Sequence, residues 1–251
     1  MKKGLIALIL SVAAIIGFQS FAHASAVSVE VIGDYGSDFR KYYVRSENYN
    51  IYRAYLEAER GKRYNIRVKN NSNRRIGVII AVDGRNILSG DKSYLGNNER
   101  MYVIEPYGSG TYDGWRTAKN MVNRFYFTQA ADSYAGAWDD YSAIGTIAVA
   151  VFYERLPEPP PYSYERKGQA DRSLRSAPSQ PGTGFGESEY SPSRRVHFEP
   201  EPYPVEKHIM KYEWRETLCK NGIIDCGYSR DKNRFWDNQQ DYVPYPPRRI
   251  R

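Results

Sequence analysis

Between residues 27 and 153, apolar and polar positions alternate in short runs that are separated by turn residues. Tyr64, Ile66 and Val68 alternate with polar neighbours, which is typical of a strand with one face in the core and one in water. Residues 76–82 are almost all apolar, as in a strand that is buried on both faces. The apolar positions recur at the spacing of strands rather than that of helices, so the pattern predicts β-structure.

Seven segments of this region are predicted strands. They are residues 27–32, 52–58, 64–68, 76–82, 100–104, 123–128 and 144–153. Strands at this spacing without intervening helices favour antiparallel sheets, and about 125 residues suffice for one buried core. We therefore expect an all-β front domain over residues 27–153, an antiparallel sandwich of the jelly-roll or immunoglobulin-like kind.

Turn residues predict how some of these strands are joined. Asn70-Asn71-Ser72-Asn73 supplies side chains that bond their own backbone, which predicts a hairpin between the strands at 64–68 and 76–82. Asp83-Gly84 is expected to end the second of these strands. Residues 117–122 are expected to add one short helical turn.

The first 24 residues have a different pattern. Two lysines precede an apolar run over residues 5–18, and the small-residue exit Ala22-His23-Ala24 follows it. This order is typical of a secretory signal peptide, with cleavage near Ser25 or Val27. The run is shorter than the about 20 apolar residues of a transmembrane helix. We therefore expect an exported mature chain without a transmembrane segment, in the periplasm or cell envelope or released outside the cell.

Proline divides the rest of the chain. Ten of the 14 prolines lie within residues 154–206, which are predicted to form an extended linker because proline removes backbone donors and fixes φ. Residues 207–251 are expected to form a small α+β tail. In that tail the pattern predicts a strand at 208–212 and a helix at 214–220, and residues 242–251 are expected to be extended.

The chain has two cysteines, Cys219 and Cys226, and both lie in the predicted tail. Disulfides persist in the compartments that exported proteins enter, so we expect these two residues to be bonded. Closing so short a loop removes unfolded-chain entropy equivalent to roughly 2.5 kcal/mol. The alternatives are two free thiols, or a zinc site that His197 and His208 complete, although the spacing lacks the close ligand pairs of structural zinc sites.

Charge and glycine patterns narrow the class of ligand only slightly. Without the signal peptide, 34 basic and 29 acidic side chains remain, spread over both halves of the chain. Export argues against nucleic acid as a partner, whereas a weak positive potential is compatible with anionic envelope polymers or lipid surfaces. Gly182-Thr183-Gly184-Phe185-Gly186 follows no predicted strand and has no lysine at the position that a phosphate-binding loop requires. We therefore expect no cofactor.

Histidines and carboxylates are the candidate catalytic groups. Of the three histidines, one belongs to the signal peptide and the other two lie outside the front domain, which therefore lacks the commonest general base. The candidate carboxylates are Glu57, Glu59, Asp113, Asp132, Asp139 and Asp140. A glycoside hydrolase needs two such groups at a defined separation across a cleft. Solvation and salt bridges to arginines explain the same residues, so we assign no catalytic residue and no metal ligand.

Aromatic residues suggest a binding surface. The chain has 23 tyrosines, and several fit half-buried strands. Aromatic residues in the loop-rich half are expected to gather where loops meet, to stack on sugars or to anchor a protein partner. The candidate binding surface comprises Tyr107, Tyr112, Asp113, Trp115, Arg116, Tyr134, Trp138 and Tyr141.

Several motifs together resemble a group of exported bacterial β-domain proteins of unknown function. They are Asp113-Gly114-Trp115-Arg116-Thr117, Asn123-Arg124-Phe125-Tyr126-Phe127-Thr128, Asp132-Ser133-Tyr134-Ala135, the strand at 144–152, Gly182-Thr183-Gly184-Phe185-Gly186-Glu187, Tyr190-Ser191-Pro192 and Val196-His197-Phe198-Glu199. The resemblance covers most of the mature chain and implies no activity. It implies that residues 182–199 are ordered against a domain. The cysteine pair and the Pro-, Tyr- and Arg-rich end depart from the pattern.

These observations favour a non-catalytic exported protein whose sandwich binds a protein or a glycan of the cell envelope. One alternative is an envelope glycan hydrolase that uses paired carboxylates. Another is a structural adaptor that is recognised through its tail.

Overall fold

A computed structural model describes residues 25–155 and 180–226 of the chain. The predicted signal peptide, residues 156–179 of the predicted linker and residues 227–251 of the predicted tail lie outside the described residues. Most of the described structure is β-structure, arranged as two sheets that pack face to face. The predicted all-β sandwich is confirmed.

The sheets contain fourteen strands within the described ranges. In chain order they are β1 (Val27–Gly33), β2 (Lys41–Val44), β3 (Ile51–Ala58), β4 (Arg63–Asn70), β5 (Ile76–Val82), β6 (Arg85–Asn86), β7 (Tyr102–Ile104), β8 (Ser109–Tyr112), β9 (Gly114–Ala118), β10 (Met121–Gln129), β11 (Thr146–Tyr153), β12 (Pro181–Thr183), β13 (Ser188–Tyr190) and β14 (Glu206–Trp214). Helix α1 (Arg215–Lys220) follows β14. Two 3₁₀ turns, Ala130–Asp132 and Gly136–Trp138, separate β10 from β11.

Each sheet has seven strands. The first runs in the order β1-β4-β10-β12, with β8 paired to β4 and with β9 and β13 paired to β10. The second runs in the order β2-β3-β14-β11-β5-β6, with β7 paired to β5. Paired strands are antiparallel except β3 and β14, which are parallel. All seven strands that the sequence predicts are present, with ends that differ by at most two residues.

The hairpin predicted between β4 and β5 is wrong, because the intervening turn carries the chain from the first sheet to the second. The buried side chain of Asn70 builds this corner. Its Nδ2 donates to the carbonyl oxygens of Arg74 at 2.7 Å and Glu105 at 3.0 Å, and its Oδ1 accepts from the backbone N–H of Ser72 at 2.9 Å. Turn residues thus mark a change of chain direction without specifying which sheet the next strand joins.

The helical turn predicted for residues 117–122 is also wrong. Strand β9 ends at Ala118 and β10 begins at Met121, so the segment is the turn of a β-hairpin. Val122 pairs with Arg116 across this hairpin and is buried. Strand pairing and burial outweigh the weak helical preference of so short a segment.

Residues 181–183, 188–190 and 206–214 belong to the sandwich. Strands β12 and β13 pair with β10. Strand β14 pairs with β11 on one side and with β3 on the other. The sequence pattern ends the front domain at residue 153 and places residues 207–251 in a separate tail, whereas Met210 and Tyr212 of β14 are buried in the core. Periodicity identifies a strand but not its neighbours, so this insertion has no signal in the sequence.

The main core lies between the two sheets and consists of alternate residues of each strand. In β4, the side chains of Tyr64, Ile66 and Val68 are fully buried and those between them are at least partly exposed. Strand β5 is buried on both faces, because its outer residue Ile79 packs with Phe152 beneath a loop. Each fully buried aliphatic side chain stabilises the fold by about 1.5–3 kcal/mol.

Helix α1 packs against the end of β14 and confirms the predicted helix. Leu218 is its buried residue, and Gly222, just beyond its end, has a φ of 67°. Cys219 and Cys226 lie at disulfide-bonding distance, with Cα atoms 5.4 Å apart, which confirms the predicted pair. No helix among residues 25–155 and 180–226 is long and apolar enough to cross a bilayer.

Candidate functional site

Three aromatic side chains form a partly exposed group beside the 3₁₀ turns. The ring centroid of Tyr134 lies 5.5 Å from that of Phe185 and 6.4 Å from that of Trp138. The side chain of Trp138 is 60% exposed and that of Phe185 is 44% exposed. We call Tyr134, Trp138 and Phe185 the aromatic platform. Two of its members, Tyr134 and Trp138, belong to the surface that the sequence predicts.

Trp115 supports this platform from the core. Strand β9 places it facing inward, where it is 2% exposed and its ring centroid lies 4.4 Å from that of Tyr134. Its Nε1–H donates to the carbonyl oxygen of Gly184 at 3.0 Å, and the backbone N–H of Tyr134 donates to that of Thr183 at 2.8 Å. Trp115 therefore fixes the segment that carries Phe185, but it is not accessible to a ligand.

The glycines around Phe185 allow close packing of the chain on β10. A Cβ atom at Gly184 would collide with the ring of Tyr126, and one at Gly182 would lie 2.6 Å from the Cβ of Ser133. Close approach of backbone to neighbouring side chains is a standard reason for glycine in such a segment. The Gly-Thr-Gly-Phe-Gly motif is therefore explained by packing rather than by phosphate binding.

Charged side chains border the exposed indole of Trp138. The guanidinium carbon of Arg85 lies 5.1 Å from its ring centroid, within the range of a cation–π interaction. Asp140 lies 3.8 Å from a guanidinium nitrogen of Arg85 and 3.5 Å from the Lys92 ammonium. Burial acts to raise the pKa of Asp140, but hydrogen bonds from Ser142 and these two cations lower it overall. The platform thus has a rim of ionised groups.

Two more residues of the predicted surface hold the fold together instead. Tyr112 is buried, with its ring centroid 4.2 Å from that of Tyr102, and burial raises its pKa. Arg116 donates to the Tyr102 hydroxyl oxygen at 3.2 Å and to the carbonyl oxygen of Ser191 at 2.5 Å. Pairing of β8 and β9 within the first sheet turns these side chains toward the core and toward the segment at 188–191.

The last three predicted surface residues lie outside the platform. Asp113 is half-buried on the first sheet, where burial raises its pKa and the nearby Arg124 acts to lower it. Tyr107 is exposed in the turn between β7 and β8, with a φ of 57°. Tyr141 packs against a small apolar cluster that includes Ile144. The predicted surface is therefore distributed over the fold, because closeness in sequence does not determine which face a side chain occupies.

Phe185 is the platform residue that the sequence pattern missed, because it lies in the predicted linker. The signal that could identify it is a large apolar ring between two glycines in an otherwise polar segment. Such a ring stacks on a neighbour only where the backbone packs closely enough to bring it there, and the stacking on Tyr134 is nearly parallel, at 19°.

A buried polar cluster anchors the same segment from the opposite side of Thr183. The hydroxyl oxygen of Thr183 lies 2.7 Å from the hydroxyl oxygen of Tyr64 and 2.8 Å from that of Tyr212. The Tyr212 hydroxyl donates to Oδ1 of Asp83 at 2.5 Å, and the backbone N–H groups of Gly145 and Thr183 donate to the same carboxylate. Burial raises the pKa of Asp83 to about 7, although these hydrogen bonds act to lower it. The cluster ties β12, β14 and β4 to the β5–β6 turn.

The candidate carboxylates Glu57 and Glu59 line a small hollow of about 210 Å³ together with Phe39 and Tyr42. Both are already paired. Glu57 accepts from Arg215 at 3.0 Å, and an oxygen of Glu59 lies 2.7 Å from the ammonium of Lys62. Each of these two carboxylates therefore has a cation as its partner in this arrangement.

Neither a group of metal ligands in the described ranges nor a similar known protein adds a further site. In the described ranges, no three side chains of His, Cys, Asp or Glu are grouped as a metal ion requires. A scan against protein-family models, a search of curated proteins and a search of solved structures each find no match to the chain.

Proposed function

We propose that this chain is a non-catalytic exported protein of the periplasm or cell envelope that binds a glycan through the aromatic platform. The observation that carries the proposal is the 60% exposed indole of Trp138. It lies beside Tyr134, which stacks on Phe185, and beside Arg85, which pairs with Asp140. Export is supported by the signal-peptide pattern of residues 1–24 and by a cysteine pair at disulfide-bonding distance.

The chemistry of the platform suits a sugar better than a protein surface. A sugar ring has an apolar C–H face that packs on an aromatic ring, and its hydroxyl groups bond to ionised side chains at the rim. Arg85, Lys92 and Asp140 provide such a rim beside Trp138. A stable protein interface buries about 800 Å² on each partner and has few charges at its centre. Two exposed rings beside a cluster of charged side chains therefore suit a sugar better than a protein interface.

Co-sedimentation with isolated peptidoglycan tests this proposal, with outer-membrane fractions as the second probe. We expect residues 25–251 to be retained on peptidoglycan at both low and moderate salt, because packing on an indole is not screened. The Trp138→Ala variant should lose at least about tenfold in retention, which corresponds to about 1.4 kcal/mol. The control is Tyr203→Ala, which removes a ring that is 80% exposed outside the platform.

Either of two results would overturn the proposal. One is equal retention of the wild type and of Trp138→Ala on peptidoglycan. The other is retention only with outer-membrane fractions, which would assign the surface to a protein or lipid partner. Because Trp138 is largely exposed, its truncation should leave the unfolding temperature unchanged, so reduced retention of this variant reports on binding.

The hydrolase is a second candidate, favoured by the shared hollow of Glu57 and Glu59. Its test is the release of reducing ends from peptidoglycan by the wild type and by Glu57→Gln. We expect no release from either protein, because both carboxylates are held in ion pairs. Release by the wild type that Glu57→Gln abolishes would establish the hydrolase instead.

The adaptor alternative places recognition in the predicted tail, residues 207–251, of which residues 227–251 lie outside the described residues. A deletion that tests it begins at residue 227, because residues 206–214 form a central strand of the second sheet. Unchanged capture of the partner by the shortened chain would exclude recognition through these residues.

A further inference from the structure

The carboxylate of Glu206 is hydrogen-bonded to the first three described residues of the chain. It accepts hydrogen bonds from the Ser25 hydroxyl at 2.9 Å, from the Ala26 backbone N–H at 2.8 Å and from the Val27 backbone N–H at 3.0 Å. Glu206 is only 5% exposed. Strand β14, which begins at this residue, thus holds the chain where it enters β1.

The charge of Glu206 lacks a fixed cation. His208 Nε2 lies 2.8 Å from its Oε1, and the imidazole is stacked on Tyr52 at a centroid distance of 4.7 Å. Burial acts to raise the pKa of Glu206, but hydrogen bonds from His208, Ala26 and Ser25 lower it overall. In the described part of the chain, no lysine or arginine forms an ion pair with this carboxylate. A buried carboxylate in this state is stabilised when a cation is placed beside it.

We propose that Glu206 and His208 form a seat for the mature N-terminus, in which the α-ammonium of Ser25 pairs with the Glu206 carboxylate. This inference rests on the proposed export. A signal peptidase hydrolyses the Ala24–Ser25 bond: the hydroxyl of water joins the Ala24 carbonyl carbon, the bond to nitrogen breaks, and the freed amine takes up protons. An α-amino group is mostly protonated at neutral pH, with an ordinary pKa of about 7.7–8.0.

The local geometry places the new charge at the seat. The α-nitrogen and the hydroxyl of Ser25 are joined through only two carbon atoms, and that hydroxyl already contacts Glu206. The seat opens on a cleft of about 370 Å³ that Ser25, Tyr43 and His208 help to line, which leaves room for an ammonium and its hydration. Of the two cleavage positions that the sequence allows, the seat selects the one before Ser25.

Cleavage then changes the strength with which β1 is attached. In the precursor the Ser25 nitrogen is a neutral amide, which offers Glu206 no charge. In the mature chain it is a cation next to a buried carboxylate, so the pair gains a Coulomb attraction that a neutral amide does not provide. The mature form should therefore resist unfolding better than a form whose N-terminus is blocked.

Thermal unfolding of two forms of residues 25–251 tests the seat. One form has a free Ser25 amine and the other has the same amine acetylated. We expect the free form to unfold at a temperature higher by at least about 3 °C, since for chains of this size 1 kcal/mol shifts Tm by about 2–4 °C. Glu206→Gln should abolish the difference between the two forms. The matched control is Glu213→Gln, which alters another buried carboxylate of β14 and should preserve the difference.

The proposed seat and the proposed export are tested by different measurements. Equal unfolding temperatures for the free and acetylated forms would overturn the seat, as would a difference that survives in Glu206→Gln. Mass spectrometry of chain purified from the envelope tests export independently. A mature chain that begins at Val27 would confirm export and overturn the seat. An uncleaved chain would overturn the proposed signal-peptide cleavage, while the unfolding temperatures would still decide whether Glu206 binds the amine.

Discussion

At the scale of single residues, Asp83 is constrained by both its backbone and its side chain. It has a positive φ of 51° and starts the two-residue turn between β5 and β6, as Asp-Gly does in tight hairpins. Its carboxylate is fully buried and accepts from Tyr212, Gly145 and Thr183. The sequence predicts the turn from Asp83-Gly84, but it gives no sign that the side chain points into the core to join three distant segments.

Stability should fall as pH rises from about 4 to about 7 because of Asp83. Its pKa is about 7 in the folded chain and close to 3.8 when unfolded, so its contribution to stability is full below about pH 4 and is lost as pH passes 7. The limiting slope is about 1.4 kcal/mol per pH unit. Asp83→Asn should be less stable than the wild type by about 1–3 kcal/mol at pH 5, because its NH2 group cannot accept the backbone N–H of Thr183, whereas a protonated carboxyl still can. This gap should narrow by pH 8.

Urea unfolding followed by tryptophan fluorescence at pH 5, 6, 7 and 8 measures this gap. The control is Asp132→Asn, because the Asp132 carboxylate is exposed and its replacement should shift stability little at any of these values. A gap between wild type and Asp83→Asn that stays constant from pH 5 to pH 8 would contradict the assignment.

At the scale of elements, the sequence predicts where the strands and the helix lie, but it does not predict which strands pair with one another. The alternation in β4 and the apolar run in β5 identify strands because burial alternates with the backbone itself. The corner at Asn70 has the sequence pattern of a hairpin, because side chains bond to the backbone in the same way in both. The spacing of Trp214 and Leu218 predicts helix α1, since both residues belong to one continuous segment.

The disulfide should protect α1 locally rather than the whole sandwich. It closes a loop that contains Gly222 and Ile223, and the Ile223 N–H donates to the carbonyl oxygen of Leu218 at 2.9 Å. Reduction restores unfolded-chain entropy equivalent to about 2.5 kcal/mol, so hydrogen exchange at Ile223 should accelerate by up to about 70-fold. Amides in the middle of β14 should exchange as before.

Hydrogen exchange with and without reductant provides the measurement. A Cys219→Ser, Cys226→Ser double variant is the control, because it should exchange at the reduced rate and should not respond to reductant. Unchanged exchange at Ile223 after complete reduction would show that packing of Leu218 and Ile224 alone holds the helix.

At the scale of the whole molecule, the sandwich is closed by the part of the chain that follows the predicted linker. Strand β14 fills the space between β3 and β11, and Met210 and Tyr212 complete the core. The platform likewise joins Trp138, which precedes the predicted linker, to Phe185, which lies within it. Neither relation follows from periodicity, because periodicity reports on one continuous segment at a time.

A chain that ends at residue 155 should therefore fail to fold. It lacks β12, β13 and β14, and it leaves Asp83 and Tyr64 without their partners Thr183 and Tyr212. We expect residues 25–155 to show no native near-ultraviolet circular dichroism, whereas residues 25–226 should show it in full. Native spectra from the shorter fragment would contradict the central role of β14.

The position of β14 also affects the order in which the strands of the second sheet can pair. Strands β3 and β11 leave the ribosome long before the strand that separates them, and until then each presents an open hydrogen-bonding edge. Contacts between segments this far apart in the chain form slowly. The gap between these two edges can accept β14 of a neighbouring copy. Refolding at high protein concentration should therefore yield domain-swapped dimers, in which each chain supplies its β14 to the sheet of the other.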